Sequence, residues 1–521
     1  MAMKRRDFVR AGAALASAPA WAERPAGSGA HLWDGYDFGP GPPSDDRLDQ
    51  GPFTIDQDEG WYTIEATTPA SGPVRNHGLG LVGYTWEENG PALAVRRGEQ
   101  ALEQAVESLA ALGFVDVLYI RCDWRDVQSR PGRLDLHPVW GLTLDAARRH
   151  GLRVGFRVQM SSPEIQPARL SIPDFLEAKV PLVPIGATAR RGGARFVEPR
   201  YDHPEFQRAF RELNQLLAAR FDGDPRLEFV DLMMYGFWGE GHTSNLPSPF
   251  PDPALAERTF LDMTRLQMET WRKTPLAVNT QPDISRVGND AVLDLAVRGG
   301  CWLRSDSVIL DEPIQIEELA HRPPWLAAVM EDGTFRHYDT AARGYGVDAG
   351  GVSVIDKTML HALDMGANYW SLWTEAGNLA RYRDSRPDAF RALQSRIGWR
   401  VRPAWVWQRK RGGAAELVVA FANDGVAGVP GILRVAVETP AGQRLAGGSL
   451  DAGHPRPGRL RQASFILPWA REGGAVRMRA ELEVKGVRRP ARWACAQPLN
   501  EDGSLTLTLK SHDDPSWRKG I

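Results

Sequence analysis

Residues 227–242 read LEFVDLMMYGFWGEGH, and the fold can be worked out from this stretch outward. The run 227–235 predicts a buried β-strand, because it is short, mostly apolar and bounded by turn residues on both sides. Directly after it, Glu240 stands between two glycines and two positions beyond Trp238. Ligands bind at the carboxyl ends of the strands in α/β folds, because the loops that follow the strands converge there. The stretch therefore predicts that Glu240 is a catalytic acid and that Trp238 forms part of a ligand-facing wall.

Apolar runs alternate with helix-like segments from about residue 79 to residue 385. Apolar residues at helical spacing between Ala101 and Leu109 predict a helix, and Gly113 is placed as its C-cap. The predicted strands are residues 80–86, 115–120, 154–158, 227–235, 276–279, 301–305, 325–330 and 368–373. The predicted helices are residues 97–112, 138–150, 206–221, 256–271, 290–298 and 356–365. Strands alternating with helices in this way predict an α/β fold, a (β/α)8 TIM barrel over residues 79–395.

The composition changes on both sides of the predicted barrel. Residues 23–78 are rich in Gly, Pro and Asp and predict an extended lead-in, with an accessory strand near 61–64 that caps one end of the barrel. Residues 396–521 predict a C-terminal antiparallel β-sandwich, because short strands alternate with Gly/Pro turns. Its predicted strands include residues 417–421, 432–437 and 478–484. Within the barrel the stretch 160–200 is long and irregular, and loops of that length are usually functional or act as lids.

The first 22 residues have the features of an export signal. Lys4-Arg5-Arg6 supplies a twin arginine, a weakly apolar run follows, and a small-residue cleavage site ends at Ala22. The apolar run is too short to span a bilayer as a helix, so no membrane anchor is predicted. The mature chain is expected to begin near Glu23 and to be periplasmic or secreted. The alternative is a disordered tail with a chance pair of arginines.

Charge and cysteine content argue against several classes of function. The 63 basic and 65 acidic residues give a net charge of -2, so neither nucleic acid nor an anionic membrane is expected as a partner. The three cysteines, Cys122, Cys301 and Cys495, lie far apart without the spacing of metal ligands, so no cofactor and no disulfide are predicted. The 18 tryptophans suit a different ligand, because tryptophan stacks well on the apolar face of a sugar ring.

Glu331 is a second carboxylate at the same predicted face of the barrel, because it directly follows the apolar run 327–330 of the seventh strand. Glycoside hydrolysis needs two carboxyl groups that flank the scissile bond, one protonated and one ionised. Without metal spacing or a Ser/His arrangement in the sequence, the pair Glu240 and Glu331 fits this reaction best. The alternative for each glutamate is a solvated loop residue.

Several short motifs resemble one enzyme family. They are residues 117–124 (VLYIRCDW), Gln128, Pro131, Gly132, Leu134, Asp135, Trp140 and residues 150–158 (HGLRVGFRV). These motifs resemble the second and third strands of beta-galactosidase-type clan-A glycoside hydrolases. The WGEGH segment, together with a C-terminal β-domain, resembles a branch of those barrels that carries a GxWGE motif. The resemblance covers about residues 79–385.

The resemblance implies a role for individual residues. In the family the acid/base follows strand four and the nucleophile follows strand seven, which implies Glu240 and Glu331. An arginine at the end of strand two bonds the nucleophile, which implies Arg121. A strand-eight aromatic lines the sugar subsite. The residues expected to contact the substrate are Arg121, Trp124, Trp238, His242, Asn279, Trp370, Trp373 and Glu375.

The predicted reaction is retaining hydrolysis of an oligo- or polysaccharide. Trp238 and the apolar strand are expected to raise the pKa of Glu240, so that it protonates the glycosidic oxygen. Arg121 is expected to keep Glu331 ionised for attack, with the two carboxyl groups about 5–5.5 Å apart. The family carries Asn before the acid/base, where this chain has Gly239, so His242 or Asn279 is expected to contact the sugar 2-hydroxyl instead. The sugar, the linkage and the oligomeric state stay open.

Several alternatives also stay open. Glu375, after strand eight, is the next candidate nucleophile, and Asp306 also faces the expected mouth of the barrel. Arg157 could bond a carboxylate or a substrate hydroxyl, or form a structural ion pair. A non-catalytic carbohydrate-binding barrel predicts carboxylates that are misplaced or paired to basic residues. A polysaccharide lyase would need a base such as Tyr235 or His242.

Overall fold

The computed structural model describes residues 41–48, 50, 61–86, 95, 97–166, 168–187, 195–241, 247–280, 289–308, 319–332, 354–411, 413–467 and 473–517. The predicted signal peptide, most of the lead-in, His242 and the side chain of Asp306 lie outside these residues.

The strands and helices are the following. The strands are β1 (Trp61–Ala66), β2 (Gly80–Trp86), β3 (Val117–Asp123), β4 (Arg153–Gln159), β5 (Leu182–Ala187), β6 (Arg195–Pro199), β7 (Leu227–Asp231), β8 (Leu276–Asn279), β9 (Trp302–Val308), β10 (Ala328–Asp332), β11 (Tyr369–Leu372), β12 (Val401–Arg411), β13 (Ala414–Asn423), β14 (Ile432–Glu438), β15 (Arg444–Ser449), β16 (Leu460–Leu467), β17 (Gly474–Val484), β18 (Val487–Ala491) and β19 (Leu505–Leu509). The α-helices are α1 (Leu102–Ala110), α2 (Val139–His150), α3 (Asp174–Glu177), α4 (Pro204–Phe221), α5 (Pro253–Thr270), α6 (Asn289–Arg298), α7 (Val354–Asp364), α8 (Ala376–Ser385) and α9 (Pro387–Gln394).

A closed parallel barrel is formed by β2, β3, β4, β7, β8, β9, β10 and β11, with β11 pairing back to β2. This confirms the predicted (β/α)8 TIM barrel, and the first and fifth predicted strands have the observed bounds. The fourth strand is shorter than predicted, since β7 ends at Asp231. Residues 232–235 lie beyond the strand but are buried in the core between barrel and helices. An apolar run marks burial rather than strand pairing, so the run alone overestimates the strand.

The barrel interior changes from aromatic to charged along the strands. The rings of Tyr119, Phe229, Trp302 and Tyr369 contact one another inside the barrel, with centroids 5.4 to 6.2 Å apart. Alternate residues of a strand face the same side, so the residues two positions further along also face inward. This next inward-facing layer consists of Tyr84, Arg121, Arg157, Asp231, Asn279, Arg304, Glu331 and Ser371. The charged layer lies toward the carboxyl ends of the strands, where ligands bind in such barrels.

The stretch 160–200 contains a β-hairpin that the sequence did not predict. β5 and β6 pair antiparallel, with Leu182 opposite Pro199. Ile185 and Phe196 of this hairpin form a buried apolar cluster with Phe237 and Trp238. The hairpin therefore covers the turn that follows β7.

The C-terminal part is an antiparallel β-sandwich, as predicted. One sheet has the order β1-β12-β13-β16, and the other has the order β15-β14-β17-β18 with β19 also paired to β17. Side chains such as Phe421 and Leu482 share one core between the sheets. The accessory strand β1, predicted to cap one end of the barrel, belongs to the first of these sheets and pairs antiparallel with β12, with Trp61 opposite Arg409. Its partner lies more than three hundred residues away in sequence, so local pattern gives no information about this pairing.

Two further observations concern the described part of the chain. None of its helices combines the length and apolar character needed to cross a membrane. It also contains no group of three or more His, Cys, Asp or Glu side chains arranged to hold a metal ion. Cys122, Cys301 and Cys495 are buried free thiols.

Candidate functional site

Two glutamates at the C-terminal end of the barrel are joined by a continuous chain of buried ion pairs. Arg157 Nη1 donates to Glu240 Oε1 at 3.0 Å, and its Nη2 donates to Asp231 Oδ2 at 3.0 Å. Arg304 Nη1 lies 3.2 Å from the same Asp231 oxygen, and its Nη2 donates to Glu331 Oε2. All five side chains are buried. The two predicted catalytic carboxylates are therefore the two ends of one charge network.

Glu331 is held by donors on two sides. Tyr84 Oη donates to Glu331 Oε2 at 3.1 Å, and the guanidinium of Arg304 donates to the same oxygen. Burial raises the pKa of Tyr84 far above its usual value, so its hydroxyl keeps its proton at neutral pH. Charge-assisted hydrogen bonds of this kind favour a carboxylate over a carboxylic acid. The contacts of Glu331 therefore suit an ionised group.

Glu240 follows a turn with an unusual backbone. Gly236, Trp238 and Gly239 have φ angles of 74°, 59° and 71°. A tryptophan in the left-handed region is strained, and strain of this kind costs on the order of 1–3 kcal/mol. A Cβ on Gly239 would lie 3.2 Å from Arg157 Cδ, so glycine also permits the close approach of that arginine. Strained turns that persist in a folded protein occur mostly at functional sites.

Arg121 lies against Glu240, which differs from the prediction. Its Nη1 is 3.4 Å from Glu240 Oε1, and its guanidinium lies 5.6 Å from the ring centroid of Tyr84. The sequence predicted that Arg121 holds Glu331, whereas Arg304 is the arginine that donates to Glu331. The sequence also predicted apolar surroundings that would keep Glu240 protonated. The structure instead brings two guanidinium groups to this carboxyl, and they favour its ionised form.

The arginines of the network stay charged although they are buried. Burial alone lowers the pKa of Arg157 and of Arg304, because desolvation disfavours the charged form. For Arg304, Asp231, the neighbouring tyrosines and Glu331 together outweigh burial and hold its pKa well above the usual range. A buried charge pair of this kind stays intact only while every member keeps its partner.

Two other predicted contact residues lie beside the network. Asn279 ends β8, is buried, and stands in register with Arg304 of β9. Trp373 follows β11, and its ring centroid lies 5.9 Å from the guanidinium carbon of Arg121. Both residues belong to the end of the barrel that carries the charge network.

Three predicted contact residues, all tryptophans, lie in buried cores outside the charge network, which argues against their assignment as substrate contacts, whereas the assignment of Glu375 stays a prediction. Trp124 packs edge-on against Phe206 with centroids 5.7 Å apart, and Trp370 belongs to the same core between barrel and helices. Trp238 is covered by the β5–β6 hairpin and is fully buried. Glu375 is exposed, as the N-cap of α8. Near the end of a strand the register decides which way a tryptophan points, and the sequence does not give the register.

The lyase alternative finds no support in the position of Tyr235. This ring packs against Phe260 with centroids 3.9 Å apart and against Phe250 with centroids 5.7 Å apart. It therefore belongs to the core between barrel and helices rather than to the charge network.

Three members of the site were not singled out from the sequence: Tyr84, Asp231 and Arg304. Asp231 and Arg304 nevertheless carry a readable signal, since each is a charged residue that directly follows two apolar residues of a predicted barrel strand. Buried charges are almost always paired, so such residues on strands of one barrel predict an ion-pair network. Arg157 was considered as a partner of a carboxylate, of a substrate hydroxyl or of a structural ion pair, and the structure pairs it with the carboxylates of Asp231 and Glu240.

Comparisons with known proteins give matches in fold only. No protein-family model and no curated protein matches the chain. Similar solved structures include an exo-beta-1,4-mannosidase from Opitutaceae bacterium strain TAV5, with 15% identity and a TM-score of 0.38, covering 63% of this chain and 58% of that enzyme. An endo-glycoceramidase II from Rhodococcus sp. matches with 12% identity and a TM-score of 0.35, covering 76% of this chain and 99% of that chain. A beta-1,4-mannanase from the sea hare Aplysia kurodai matches with 12% identity and a TM-score of 0.33, covering 61% of this chain and 92% of that chain.

Proposed function

We propose that this protein is a glycoside hydrolase that cleaves O-glycosidic bonds of an oligo- or polysaccharide by a retaining, two-carboxylate mechanism. One observation carries the proposal: Glu240 and Glu331, which follow or end the fourth and seventh barrel strands, are the two ends of one buried charge network. Two carboxyl groups at the carboxyl end of a barrel are what glycoside hydrolysis requires.

Glu331 is the proposed nucleophile. The hydrogen bonds from Tyr84 and Arg304 support this role, because a nucleophile has to be ionised before it attacks the anomeric carbon. Arg304 thus takes the role that the sequence analysis gave to Arg121. The covalent glycosyl-enzyme formed at Glu331 neutralises its charge until water releases the sugar.

Glu240 is the proposed acid/base. It has to deliver a proton to the glycosidic oxygen in the first step and to remove one from water in the second step. The ionised form that Arg157 and Arg121 favour is the one needed for the second step. The first step then proceeds from the fraction of molecules in which Glu240 is protonated, which favours activity at acidic pH.

A second candidate function is a carbohydrate-binding barrel without catalysis. One observation favours it, because Glu240 is paired with two guanidinium groups. A carboxylate held in this way suits a structural ion pair or a hydrogen bond to a sugar hydroxyl as well as it suits catalysis. This candidate predicts that the protein binds oligosaccharides but leaves them intact.

The test is hydrolysis of a panel of aryl glycosides and unmodified oligosaccharides by wild type, Glu240→Gln and Glu331→Gln, with Glu375→Gln as the control. We expect turnover by wild type and Glu375→Gln, and a loss of at least a thousandfold in both other variants. In the smaller variants Glu331→Ala and Glu240→Ala, azide should restore activity, because truncation leaves space for it. The two glycosyl azides should have opposite anomeric configurations, because azide replaces the nucleophile in Glu331→Ala and attacks the glycosyl-enzyme in Glu240→Ala. Full activity of Glu331→Gln would exclude it as the nucleophile. Calorimetric binding of an oligosaccharide that stays intact would establish the second candidate instead.

We also propose that the protein is exported by the twin-arginine route and acts in the periplasm or outside the cell. The proposal is supported by Arg5-Arg6 and by the small residues that end at Ala22. Cell fractionation and N-terminal sequencing should find a periplasmic or secreted chain that begins near Glu23. Substituting lysine for both Arg5 and Arg6 should leave the full-length chain in the cytoplasm, and export of that variant would contradict the proposal.

A further inference from the structure

A buried carboxyl group outside the charge network is connected to the strained turn after β7. Glu198, on β6, is fully buried and accepts hydrogen bonds from the hydroxyls of Ser161 and Tyr201. Tyr201 Oη accepts a hydrogen bond from Gly236 N at 3.1 Å. The backbone oxygen of Ser161 accepts one from Trp238 N at 2.9 Å. Both partners of Glu198 therefore hold backbone atoms of the turn.

We propose that Glu198 is a positioning residue for Glu240, and that its ionised form fixes the turn 236–239 through Tyr201 and Ser161. The role rests on the proposed function in that Glu240 is the acid/base. The turn needs such contacts, because the left-handed backbone of Trp238 is unfavourable by itself and persists only where surrounding structure enforces it. A shift of the turn would move Glu240 relative to Arg157, which also donates to the backbone oxygen of Trp238 at 3.0 Å.

The hydrogen-bond donors and acceptors around Glu198 explain why its ionised form is required. An ionised carboxylate only accepts, so both hydroxyls can point at Glu198 at once. A protonated Glu198 has to donate to one of these hydroxyl oxygens, and that hydroxyl then has to turn its own hydrogen away from Glu198. Each of the two oxygens also accepts a hydrogen bond from another donor. Tyr201 Oη accepts from Gly236 N, and Ser161 Oγ accepts from Gln166 Nε2 at 3.3 Å. Protonation therefore reverses one hydroxyl and weakens the attachment of the turn.

The surroundings of Glu198 set the pH range in which this change occurs. Burial raises the pKa of Glu198 to about 7, although the hydrogen bonds from Ser161 and Tyr201 lower it. Among the described residues, no charged side chain contributes to this shift. The titratable neighbour is Tyr201, whose own pKa burial raises well above the usual value, so Tyr201 stays neutral in the same range. The hydrogen-bond rearrangement is therefore coupled to a single titration.

The test that needs no substrate is hydrogen–deuterium exchange of the full chain, followed by mass spectrometry of a peptide covering residues 232–241. After correction for intrinsic exchange, its protection in wild type should increase about tenfold between pH 6 and pH 8, the effect of one typical hydrogen bond. Glu198→Gln should lack this increase, because its amide donates one hydrogen bond at every pH. Tyr201→Phe should also lack it, because Gly236 N loses its acceptor.

The matched control is Glu416→Gln, which removes another buried carboxylate, located in β13 and paired with Arg409. This variant should retain the wild-type step in peptide 232–241. The proposal is wrong if Glu198→Gln keeps the step, and also if Glu198→Gln loses protection evenly over the whole chain, since the role of Glu198 would then be merely structural.

Kinetics separate this proposal from the proposed function. With a substrate that wild type hydrolyses, Glu198→Gln should lower kcat about tenfold at pH 8 with little change in KM, and should abolish the pH dependence of kcat that is centred near pH 7. If wild type hydrolyses nothing, the proposed function fails while hydrogen exchange still decides whether Glu198 holds the turn. A lowered kcat with unchanged exchange in peptide 232–241 would overturn the positioning role.

Discussion

The stability of a charged side chain buried inside a barrel depends on partners of opposite charge, and Asp231 is shared by two of them. Its Oδ2 contacts the guanidinium groups of Arg157 and Arg304. Asp231→Asn keeps the shape but leaves two buried cations without their shared anion, so the free energy of unfolding should fall by about 3–5 kcal/mol. Urea denaturation at pH 7 measures this. Asp262→Asn, which removes an exposed ion pair with Arg265, should leave the midpoint unchanged. Equal midpoints for both variants and wild type would contradict the prediction.

At the same scale, a substitution of Arg121 tests whether Glu240 has to be protonated in order to act as the acid. Arg121→Gln removes one of the two cations that favour the ionised carboxylate. Protonated Glu240 should then persist to higher pH, so the alkaline limb of kcat/KM should move to higher pH. The measurement is a pH–rate profile with a poor aryl leaving group. A dinitrophenyl glycoside, whose leaving group needs no protonation, should lack the shift. An alkaline limb that stays in place with the poor leaving group would exclude Glu240 as the acid.

The sequence identified both carboxylates of the site but only some of their partners. Glu331 was recognisable because it directly follows an apolar run, and Glu240 because it stands between two glycines shortly after one, and both are local features. The sequence did not show which carboxylate each arginine contacts, because this pairing depends on the register between neighbouring strands. The register of β9 brings Arg304 to Glu331, and this stagger is a property of the closed barrel rather than of either strand.

At the scale of the element, the turn after β7 combines a strained backbone with close packing against Arg157. Alanine substitutions at Gly239 and Gly113 separate the effect of the backbone from the effect of the packing. Gly239 and Gly113 have similar φ angles, 71° and 76°, but a Cβ on Gly239 would lie 3.2 Å from Arg157 Cδ, whereas a Cβ on Gly113 would meet open space. Alanine at either position costs about 1 kcal/mol for the left-handed backbone. Gly239→Ala should in addition push Arg157 away from Glu240 and lower kcat at least tenfold, whereas Gly113→Ala should leave kcat unchanged. Steady-state kinetics and urea denaturation measure the two effects, and equal kcat values would contradict the argument.

Most elements were predictable from the sequence because their periodicity is local. The barrel strands and the helices between them follow from apolar runs and from helical spacing. The prediction that Gly113 is the C-cap of the first helix is wrong, because α1 ends at Ala110 and its C-cap is Ala111. A left-handed glycine, Gly151 with φ of 63°, is the C-cap of α2. The hairpin of β5 and β6 was missed because Pro184 and Gly186 interrupt the apolar residues of β5, and because β6 is short and carries two charged residues, so neither strand gives a continuous apolar run. The pairing of β1 with β12 was missed because it joins distant segments.

At the scale of the whole molecule, the sandwich packs against the N-terminal end of the barrel. Lys485 Nζ donates to the backbone oxygen of Thr274 at 3.3 Å, and Arg489 Nη2 lies 3.5 Å from the backbone oxygen of Leu227. Next to Leu227, Glu228 accepts hydrogen bonds from Arg153 at 2.7 Å and from Gly78 N at 3.0 Å. Burial raises the pKa of Glu228, but the positive charge of Arg153, together with His77, lowers it to about 2.

Glu228 and Glu198 should give the molecule opposite dependences of stability on pH. The pKa of Glu228 is lowered from 4.5 to about 2, so its contribution, about 3 kcal/mol, is present above pH 4.5 and is lost as pH falls toward 2. The pKa of Glu198 is raised from 4.5 to about 7, so its ionisation lowers stability as pH rises from 4.5 to 7. Urea denaturation at several pH values should therefore find that Glu228→Gln weakens the loss of stability in acid, whereas Glu198→Gln weakens the loss between pH 4.5 and 7. Identical pH profiles for the two variants would contradict this assignment.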